Sequence, residues 1–167
     1  MRQSDTGEAG THVYGQGALK ALYGLNQYLS KSPLDESLLN LVYFRASQIN
    51  GCAFCLDMHS KDLRAAGETE QRLYMLDAWR ESPVYSNRER AALAWAESVT
   101  LVTKGHVPDS VYTEVREQFS EAEVVDLTIA VIAINTYNRI NVAFRTPAGT
   151  YEPGMFKKQE TKQNVYS

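Results

Sequence analysis

The segment Ala46–His59 reads ASQINGCAFCLDMH, and it holds both cysteines of the chain and one of its three histidines. The spacing is Cys-x-x-Cys-x-x-x-His, from Cys52 through Cys55 to His59. On a helix, residues three and four positions apart lie on the same face. We therefore expect the three side chains in one stripe. Two thiols and a base in one stripe form a redox site where that stripe faces a pocket.

The dipeptide Asn50-Gly51 predicts that one helix ends just before the motif and that another begins near Cys52. A thiol in the first turn of a helix lies close to unpaired amide groups and to the positive end of the helix dipole. Both favour the thiolate, which is the nucleophilic form of cysteine. Cys52 lies nearer to that helix end, whereas Cys55 has His59 one turn further along. The residues alone leave open which thiol attacks.

Three other interpretations of the motif compete with a redox site. A Cys-x-x-Cys pair can be half of a zinc site, but closed structural zinc needs four ligands, so His12 or His106 would have to complete the set. The cysteines can also be small buried apolar residues, and His59 can be a solvated surface residue. Two thiols beside a helix start, in line with a histidine, favour the redox site. We expect no metal and no cofactor.

Two stretches of the chain carry a resemblance to a known family. The first is Arg45–Cys55 followed by His59, and the second runs from Val125–Thr128 through Asn138–Pro147. Over most of residues 15–150 the chain resembles the carboxymuconolactone decarboxylase superfamily, and within it the AhpD-like alkylhydroperoxidases. The resemblance implies a compact all-α bundle, reduction of hydroperoxides, and assembly into trimers or hexamers.

The resemblance also implies a role for each residue of the site. In AhpD-like peroxidases the second cysteine, here Cys55, attacks the peroxide, and the first, here Cys52, resolves the sulfenic acid as a disulfide. The histidine, here His59, assists proton transfer. Some relatives carry a glutamate relay twelve residues before the first cysteine, where this chain has Asn40. An amide can hydrogen-bond to His59 but accepts no proton. We therefore expect Asn40 beside His59, a higher pKa for Cys55 and slower turnover.

Composition restricts the remaining classes of function. The chain has 167 residues, of which 44% are hydrophobic and 22% charged, as expected for one soluble domain. Its net charge of −3 argues against nucleic acid as a partner. No apolar run approaches the roughly 18 residues of a membrane span, and Met1–Thr11 lacks the apolar segment of a secretion signal. Two cysteines suit a cytoplasmic redox pair better than a disulfide scaffold.

Helical periodicity and helix-start signals predict an all-α fold with a flexible leader (1–13), an AhpD-like domain (14–150) and an irregular tail (151–167). The run Ile129–Ile134 is hydrophobic on every side, which predicts burial in the core or in a subunit interface. The predicted helices run from Gly17 to about Ser30, from a Ser32-Pro33 start to about Ile49, from Cys52 to Gly67, from Thr69 to Trp79, from a Ser86 capping box to Gly105, from Pro108 to Phe119 and from a Ser120 capping box to about Val142.

These observations predict a thiol-dependent hydroperoxide reductase that works as a homo-oligomer, without nucleic acid or membrane. An external thiol or dithiol donor, for example a lipoyl- or thioredoxin-like protein, would reduce the disulfide. A decarboxylase of a cyclic lactone acid is an alternative, but it needs no pair of thiols. A redox-sensing oligomeric binding protein without turnover is a second alternative, which Asn40 keeps open.

Overall fold

Residues 15–155 are described in the computed structural model, and within them the chain forms seven α-helices and no strands. The all-α prediction is therefore confirmed for this part of the chain. The predicted leader, with His12, and the tail beyond residue 155 lie outside the described residues. The helices are α1 (Gln16–Leu29), α2 (Glu36–Asn50), α3 (Ala53–Ala65), α4 (Glu70–Met75), α5 (Asn87–Thr100), α6 (Asp109–Gln118) and α7 (Glu121–Phe144).

Two short 3₁₀ turns supplement the helices. Leu76–Ala78 continues α4, and Val102–Lys104 follows α5. Between residues 15 and 155, no helix combines the length and the hydrophobicity that a membrane span requires.

Both predicted capping boxes are confirmed. The Ser86 hydroxyl accepts the backbone N–H of Glu89 at 3.3 Å, and the Glu89 carboxylate accepts the N–H of Ser86 at 2.7 Å. Ser120 and Glu123 repeat this exchange at 3.3 and 2.8 Å. Each pair satisfies two amides that a helix start would otherwise leave unpaired. The Glu123 carboxylate also accepts Arg88 at 2.6 Å, which ties the start of α7 to the start of α5.

The predicted cap at Ser32 is wrong. Helix α2 begins at Glu36, with Asp35 at the capping position. The Ser32 hydroxyl instead donates to one oxygen of the buried Asp126 carboxylate on α7, and the Tyr28 hydroxyl donates to the other, both at 2.6 Å. A buried carboxylate needs such partners because desolvation is costly. The hydrogen bond that Ser32 makes to Asp126, far away in sequence, therefore outweighs the local preference of serine for a helix start.

Two hydrophobic cores share α2 and α5, which contribute different faces to each. The larger core joins them to α1, α6 and α7, and the smaller one joins them to α3 and α4. The larger core contains Leu29, Leu34, Leu38, Leu39, Val42, Ala91, Ala92, Trp95, Ala96, Val115, Phe119, Val124, Leu127, Ala130, Val131 and Ala133. The smaller core contains Leu41, Phe44, Leu63, Leu73, Leu76, Trp79, Tyr85, Leu93 and Ala94.

The apolar run of α7 packs mainly inside the chain. Val131 and Ile134 are buried together with the alanines beside them. Ile132 remains 46% exposed, and Val125, two turns earlier, remains 57% exposed. The hydrophobic excess of the run is thus confined to one outward stripe of the helix.

A left-handed glycine separates α2 from α3. Gly51 has φ of 65°, its N–H donates to the Gln48 carbonyl at 3.2 Å, and the N–H of Cys52 donates to the Ser47 carbonyl at 3.1 Å. This pair of bonds is a Schellman motif, which ends a helix and reverses the chain within one residue. The break predicted from Asn50-Gly51 is confirmed, and it delivers Cys52 directly to the start of α3.

Two glycine substitutions should change stability in opposite directions. Gly51→Ala should lower the free energy of unfolding by about 1 kcal/mol, because an L-residue is strained at this positive φ. Gly24→Ala, in the interior of α1, should raise it by about 0.5–1 kcal/mol, because alanine favours the helix. An added Cβ meets no atom within 4 Å at either position, so neither effect includes a clash. Urea unfolding of both variants provides the measurement, and shifts of the same sign would contradict the assignment.

Candidate active site

Both cysteines lie at the first turn of α3. Cys52 is the capping residue, and its sulfur accepts the backbone N–H of Cys55 at 3.4 Å. The two residues form a disulfide with Cα atoms 5.4 Å apart, inside the range that a disulfide allows. Their side chains are enclosed, with exposures of 1% for Cys52 and 0% for Cys55. The predicted position of the Cys-x-x-Cys pair at a helix N-terminus is confirmed.

A ladder of amide side chains fixes this junction against α7. Asn50, the last residue of α2, donates to the side-chain oxygens of Asn138 and Asn135 at 2.9 and 3.0 Å. Asn138 donates to the Ser47 hydroxyl at 3.0 Å, and Asn135 donates to the Thr100 hydroxyl at 2.9 Å. Buried amides need such partners. The ladder therefore determines where α2 ends relative to α7, and with it where Cys52 lies.

His59 is a buried, neutral base one turn beyond Cys55. It is only 6% exposed, which excludes a solvated surface position. Burial lowers the pKa of His59 to about 3. Neither ring nitrogen has a hydrogen-bond partner among residues 15–155. The site therefore contains an uncharged imidazole whose two nitrogens are buried and form no hydrogen bond within the described residues.

Tyr43 is the α2 side chain whose ring packs on His59. The ring centroids are 5.3 Å apart and the planes are inclined by 44°. Burial, and to a lesser extent the neighbouring Tyr137, raise the pKa of Tyr43, so its hydroxyl stays protonated at neutral pH. The Tyr137 hydroxyl in turn accepts the Asn26 amide of α1 at 3.2 Å. Two neutral tyrosines, Tyr43 and Tyr137, thus accompany the buried imidazole.

Asn40 does not form the expected hydrogen bond to His59. Asn40 is half-buried on α2, but both imidazole nitrogens are unpaired within the described part of the chain. Tyr43, almost one turn further along the same helix, makes the ring contact with His59 instead. A role for Asn40 in the site stays a prediction.

Asn141 contacts the sulfur of Cys55, and sequence reasoning assigned it no role. Its side-chain amide donates to the Cys55 Sγ at 3.4 Å across 86 residues of chain. A signal was present in the sequence, because Asn135, Asn138 and Asn141 recur every three residues in the second half of α7. Such a stripe indicates that one face of the helix meets polar groups.

The segment after α7 fastens to the other side of α3. The Gly149 N–H donates to the Asp57 carboxylate at 2.9 Å, and the Lys61 ammonium donates to the Tyr151 carbonyl at 2.8 Å. The Tyr151 hydroxyl donates to Asp62 at 2.8 Å, and the ring is 4% exposed. Helix α3 is therefore held between the polar face of α7 and this segment.

Residues 16–98, which include the motif, match the model of the carboxymuconolactone decarboxylase family. The uncharacterized protein YdfG of Bacillus subtilis (strain 168) is 42% identical over 132 residues, which are 79% of this chain and 90% of YdfG. The chain belongs to the carboxymuconolactone decarboxylase family. The resemblance expected from Arg45–Cys55 and His59 is confirmed.

Solved structures relate the chain to the AhpD-like members of this family. A protein of unknown function from Agrobacterium tumefaciens, suggested to be the antioxidant defence protein AhpD, is 42% identical, with a TM-score of 0.78 over 83% of this chain and 97% of its own. The debrominase Bmp8 shares the fold, with a TM-score of 0.71 at 19% identity over 81% of this chain and 74% of Bmp8. The fold and the Cys-x-x-Cys pair fit a peroxidase-related carboxymuconolactone decarboxylase family protein, but the fold alone does not determine the reaction.

A bound metal ion would need several ligand side chains of the described residues to lie close together. Within residues 15–155, no three side chains of His, Cys, Asp or Glu are grouped as a metal site would require. His106, one residue named as a possible zinc ligand, is exposed in the loop before α6. The disulfide occupies both sulfurs.

Replacement of His59 should change the pH dependence of stability. The ordinary pKa of 6.5 applies to the unfolded chain, whereas burial lowers the folded-state pKa to about 3. As pH falls below about 6.5, the unfolded state takes up the proton first, and stability is lost until about pH 3. The loss amounts to at most about 1.4 kcal/mol per pH unit. His59→Leu should lack this component.

Urea unfolding of the oxidised protein at a series of pH values measures this effect. His106→Asn is the matched control, because it removes an exposed imidazole and should follow the native curve. Parallel curves for the native protein and His59→Leu would show that His59 is not held as a buried neutral base.

Proposed function

We propose that the protein is a thiol-dependent hydroperoxide reductase in which Cys55 attacks and Cys52 resolves. The observation that carries the proposal is the Cys52–Cys55 disulfide at the start of α3, with the buried imidazole of His59 one turn further along. A pair that closes a disulfide without distorting the helix can pass reversibly between dithiol and disulfide. The suggested antioxidant role of the Agrobacterium relative supports the same reaction class.

The proposed reaction has two chemical steps. The Cys55 thiolate attacks the terminal oxygen of the hydroperoxide, the O–O bond breaks, and the leaving alkoxide takes a proton to become an alcohol. The Cys55 sulfenic acid then condenses with the Cys52 thiol, which forms the disulfide and releases water. Two electrons and two protons from an external dithiol restore the reduced pair. In sum, hydroperoxide and dithiol give alcohol, water and disulfide.

His59 is proposed to carry the proton between thiol and leaving oxygen. In the closed site burial lowers its pKa to about 3, where the imidazole is a weak base. Entry of substrate or water reduces the desolvation that causes this shift, so the pKa moves toward the range in which imidazole exchanges protons near neutrality. Because the ring nitrogens form no hydrogen bond within residues 15–155, they can bind a substrate or water molecule when the site opens.

The reductant is proposed to be a thiol or dithiol, for example on a lipoyl- or thioredoxin-like protein. The cytoplasm, where thiol reductants are kept reduced, suits such a cycle. A redox sensor without turnover is the second candidate, and the near-complete enclosure of both sulfurs favours it. The two candidates differ in whether one molecule of protein consumes more than one molecule of peroxide.

Serine variants of the two cysteines should separate their roles. In Cys55→Ser, peroxide should no longer oxidise the remaining thiol. In Cys52→Ser, peroxide should leave a stable sulfenic acid on Cys55, because no thiol is present to resolve it. Mass spectrometry after treatment with a dimedone-type probe identifies the labelled residue. Label on Cys52 in the first variant, together with none on Cys55 in the second, would reverse the assignment.

Peroxide consumption by the native protein, with an excess of dithiol reductant, tests the function as a whole. Consumption beyond one equivalent is expected from an enzyme. A single equivalent, with the loss of two free thiols, would leave the sensor as the better description.

We further propose that the protein assembles with copies of itself, as a trimer or hexamer, through the outward stripe of α7. Val125 and Ile132 are about half exposed there, and Tyr112 of α6 is 50% exposed. The groove between α6 and α7 is lined mainly by apolar and aromatic side chains. Exposed apolar patches of this kind mark association surfaces.

Light scattering tests the assembly. The native protein should scatter at three or six times the chain mass of 18.8 kDa, and Ile132→Lys should move the mass toward a single chain. Val102→Lys is the control, because Val102 is similarly exposed, at 45%, but lies in the 3₁₀ turn after α5. A native mass of one chain at micromolar concentration would contradict the proposal.

A further inference from the structure

We propose that Asn141 is a catalytic residue that stabilises the thiolate of Cys55 by donating a hydrogen bond to its sulfur. The inference deepens the proposed function, because it takes Cys55 as the attacking thiol. It begins from one contact, the bond from the Asn141 side-chain amide to the Cys55 Sγ at 3.4 Å. Among residues 15–155, no other hydrogen bond ends on this sulfur.

The contact distinguishes the two cysteines. The sulfur of Cys52 accepts a backbone amide of its own helix, as a capping residue does. The sulfur of Cys55 accepts an amide from another helix, α7. A neutral disulfide sulfur gains little from such a donor, whereas a thiolate gains a charge-assisted hydrogen bond. The donor is therefore placed where negative charge forms on reduction.

The other titratable side chains of the site are neutral, which gives Asn141 its importance. His59 on α3 is neutral because burial lowers its pKa, and Tyr43 on α2 is neutral because burial raises its pKa. Tyr137 on α7 is likewise kept neutral, because burial raises its pKa. None of these three groups carries a positive charge, and the Lys61 ammonium on α3 pairs with the Asp57 carboxylate at 2.9 Å. The thiolate therefore depends mainly on neutral dipoles. The available ones are the start of α3 and the side-chain amide of Asn141.

The fold around Asn141 holds this donor in place. Its backbone carbonyl accepts the N–H of Thr146 at 3.0 Å, in the turn where Arg145 adopts a left-handed conformation with φ of 55°. The side chain of Asn138, one turn earlier, donates a hydrogen bond to Ser47 and accepts one from Asn50. The Asn141 side chain, in contrast, makes its one hydrogen bond within the described chain to sulfur. The backbone bond thus positions Asn141, and its side-chain amide remains directed at the Cys55 sulfur.

A thiolate titration tests the assignment without any peroxide. The variants are Asn141→Leu, Asn141→Asp and Asn141→Gln, each in a Cys52→Ser background so that only Cys55 titrates as a thiol. Ultraviolet absorbance of the thiolate is followed against pH, and the spectrum of the matching variant that also carries Cys55→Ser is subtracted to remove the tyrosines. Serine at position 52 keeps a capping oxygen at the start of α3.

The expected midpoints have a fixed order. Asn141→Leu should raise the midpoint by about one pH unit, because the donor is lost. Asn141→Asp, which has the same shape, should raise it further, because a carboxylate repels the thiolate. Asn141→Gln keeps an amide and should lie nearer to the native value than the leucine variant. Thr136→Ala is the control on α7, because the Thr136 hydroxyl bonds only to the Ile132 carbonyl of its own helix within the described residues.

The outcomes separate this proposal from the function. Native midpoints in the leucine and aspartate variants, or a midpoint for aspartate at or below that for leucine, would overturn the role of Asn141, even if peroxide is consumed. Shifted midpoints without peroxide consumption would support Asn141 and refute the peroxidase. Well above the midpoint, where every Cys55 is a thiolate, alkylation of the leucine variant should be at least as fast as in the Cys52→Ser parent, because a thiolate of higher pKa is the stronger nucleophile. Rates that stay low at all pH values would overturn the proposal, because loss of the hydrogen bond should change the fraction of thiolate and should not lower its reactivity once formed.

Discussion

The left-handed turn at Gly51 and the amide ladder beside it are the constraint on which the site depends. The Schellman bonds end α2 and start α3 within two residues. The bonds from Asn50 to Asn135 and Asn138 then fix that junction against α7. Without the turn, Cys52 would not cap α3. Without the ladder, the polar face of α7 that carries Asn141 would not be held in register with Cys55.

Charge is distributed unevenly over the molecule. Around the cysteines, His59 and Tyr43 are neutral, and the polar contacts are amides. Two residues beyond Tyr43 on α2, Arg45 donates to Glu97 of α5 at 2.8 Å. Although burial raises the pKa of Glu97, hydrogen bonds from Trp79, Arg80 and Arg45 lower it below the ordinary value. Ion pairs thus link α2 to α5, whereas His59, Tyr43 and the amides that contact the cysteines are neutral, and in such a neutral, buried setting a single dipole has a large effect.

Local signals in the sequence were sufficient for the helices and for the motif. The capping boxes at Ser86 and Ser120, the break at Gly51 and the spacing of Cys52 and Cys55 act over a few residues, so their structural meaning is visible in the chain itself. The failures came from contacts distant in sequence. The residues around Ser32 predict a helix start, because nothing near it in sequence shows that Asp126, 94 residues away, needs a hydrogen-bond donor.

Contacts between residues distant in sequence also account for the parts of the site that could not be predicted. Packing of Tyr43 on His59, and the approach of Asn141 to Cys55, depend on how whole helices cross. The asparagine spacing in α7 indicates a polar face but not the group that it meets. The family pattern predicts Asn40 beside His59, but the described structure gives its side chain no hydrogen bond to the imidazole.

Enclosure of the Cys52–Cys55 disulfide has a kinetic consequence. A reductant dissolved in water cannot collide with sulfurs that are at most 1% exposed, so in the proposed cycle each reduction must wait for the site to open. When opening is slower than thiol exchange, the rate ceases to depend on how much reductant is present and becomes a property of the protein itself. The oxidised form then has a lifetime set by internal motion. In a cell in which thiol concentrations fluctuate, the rate at which this protein is reduced would then stay nearly constant.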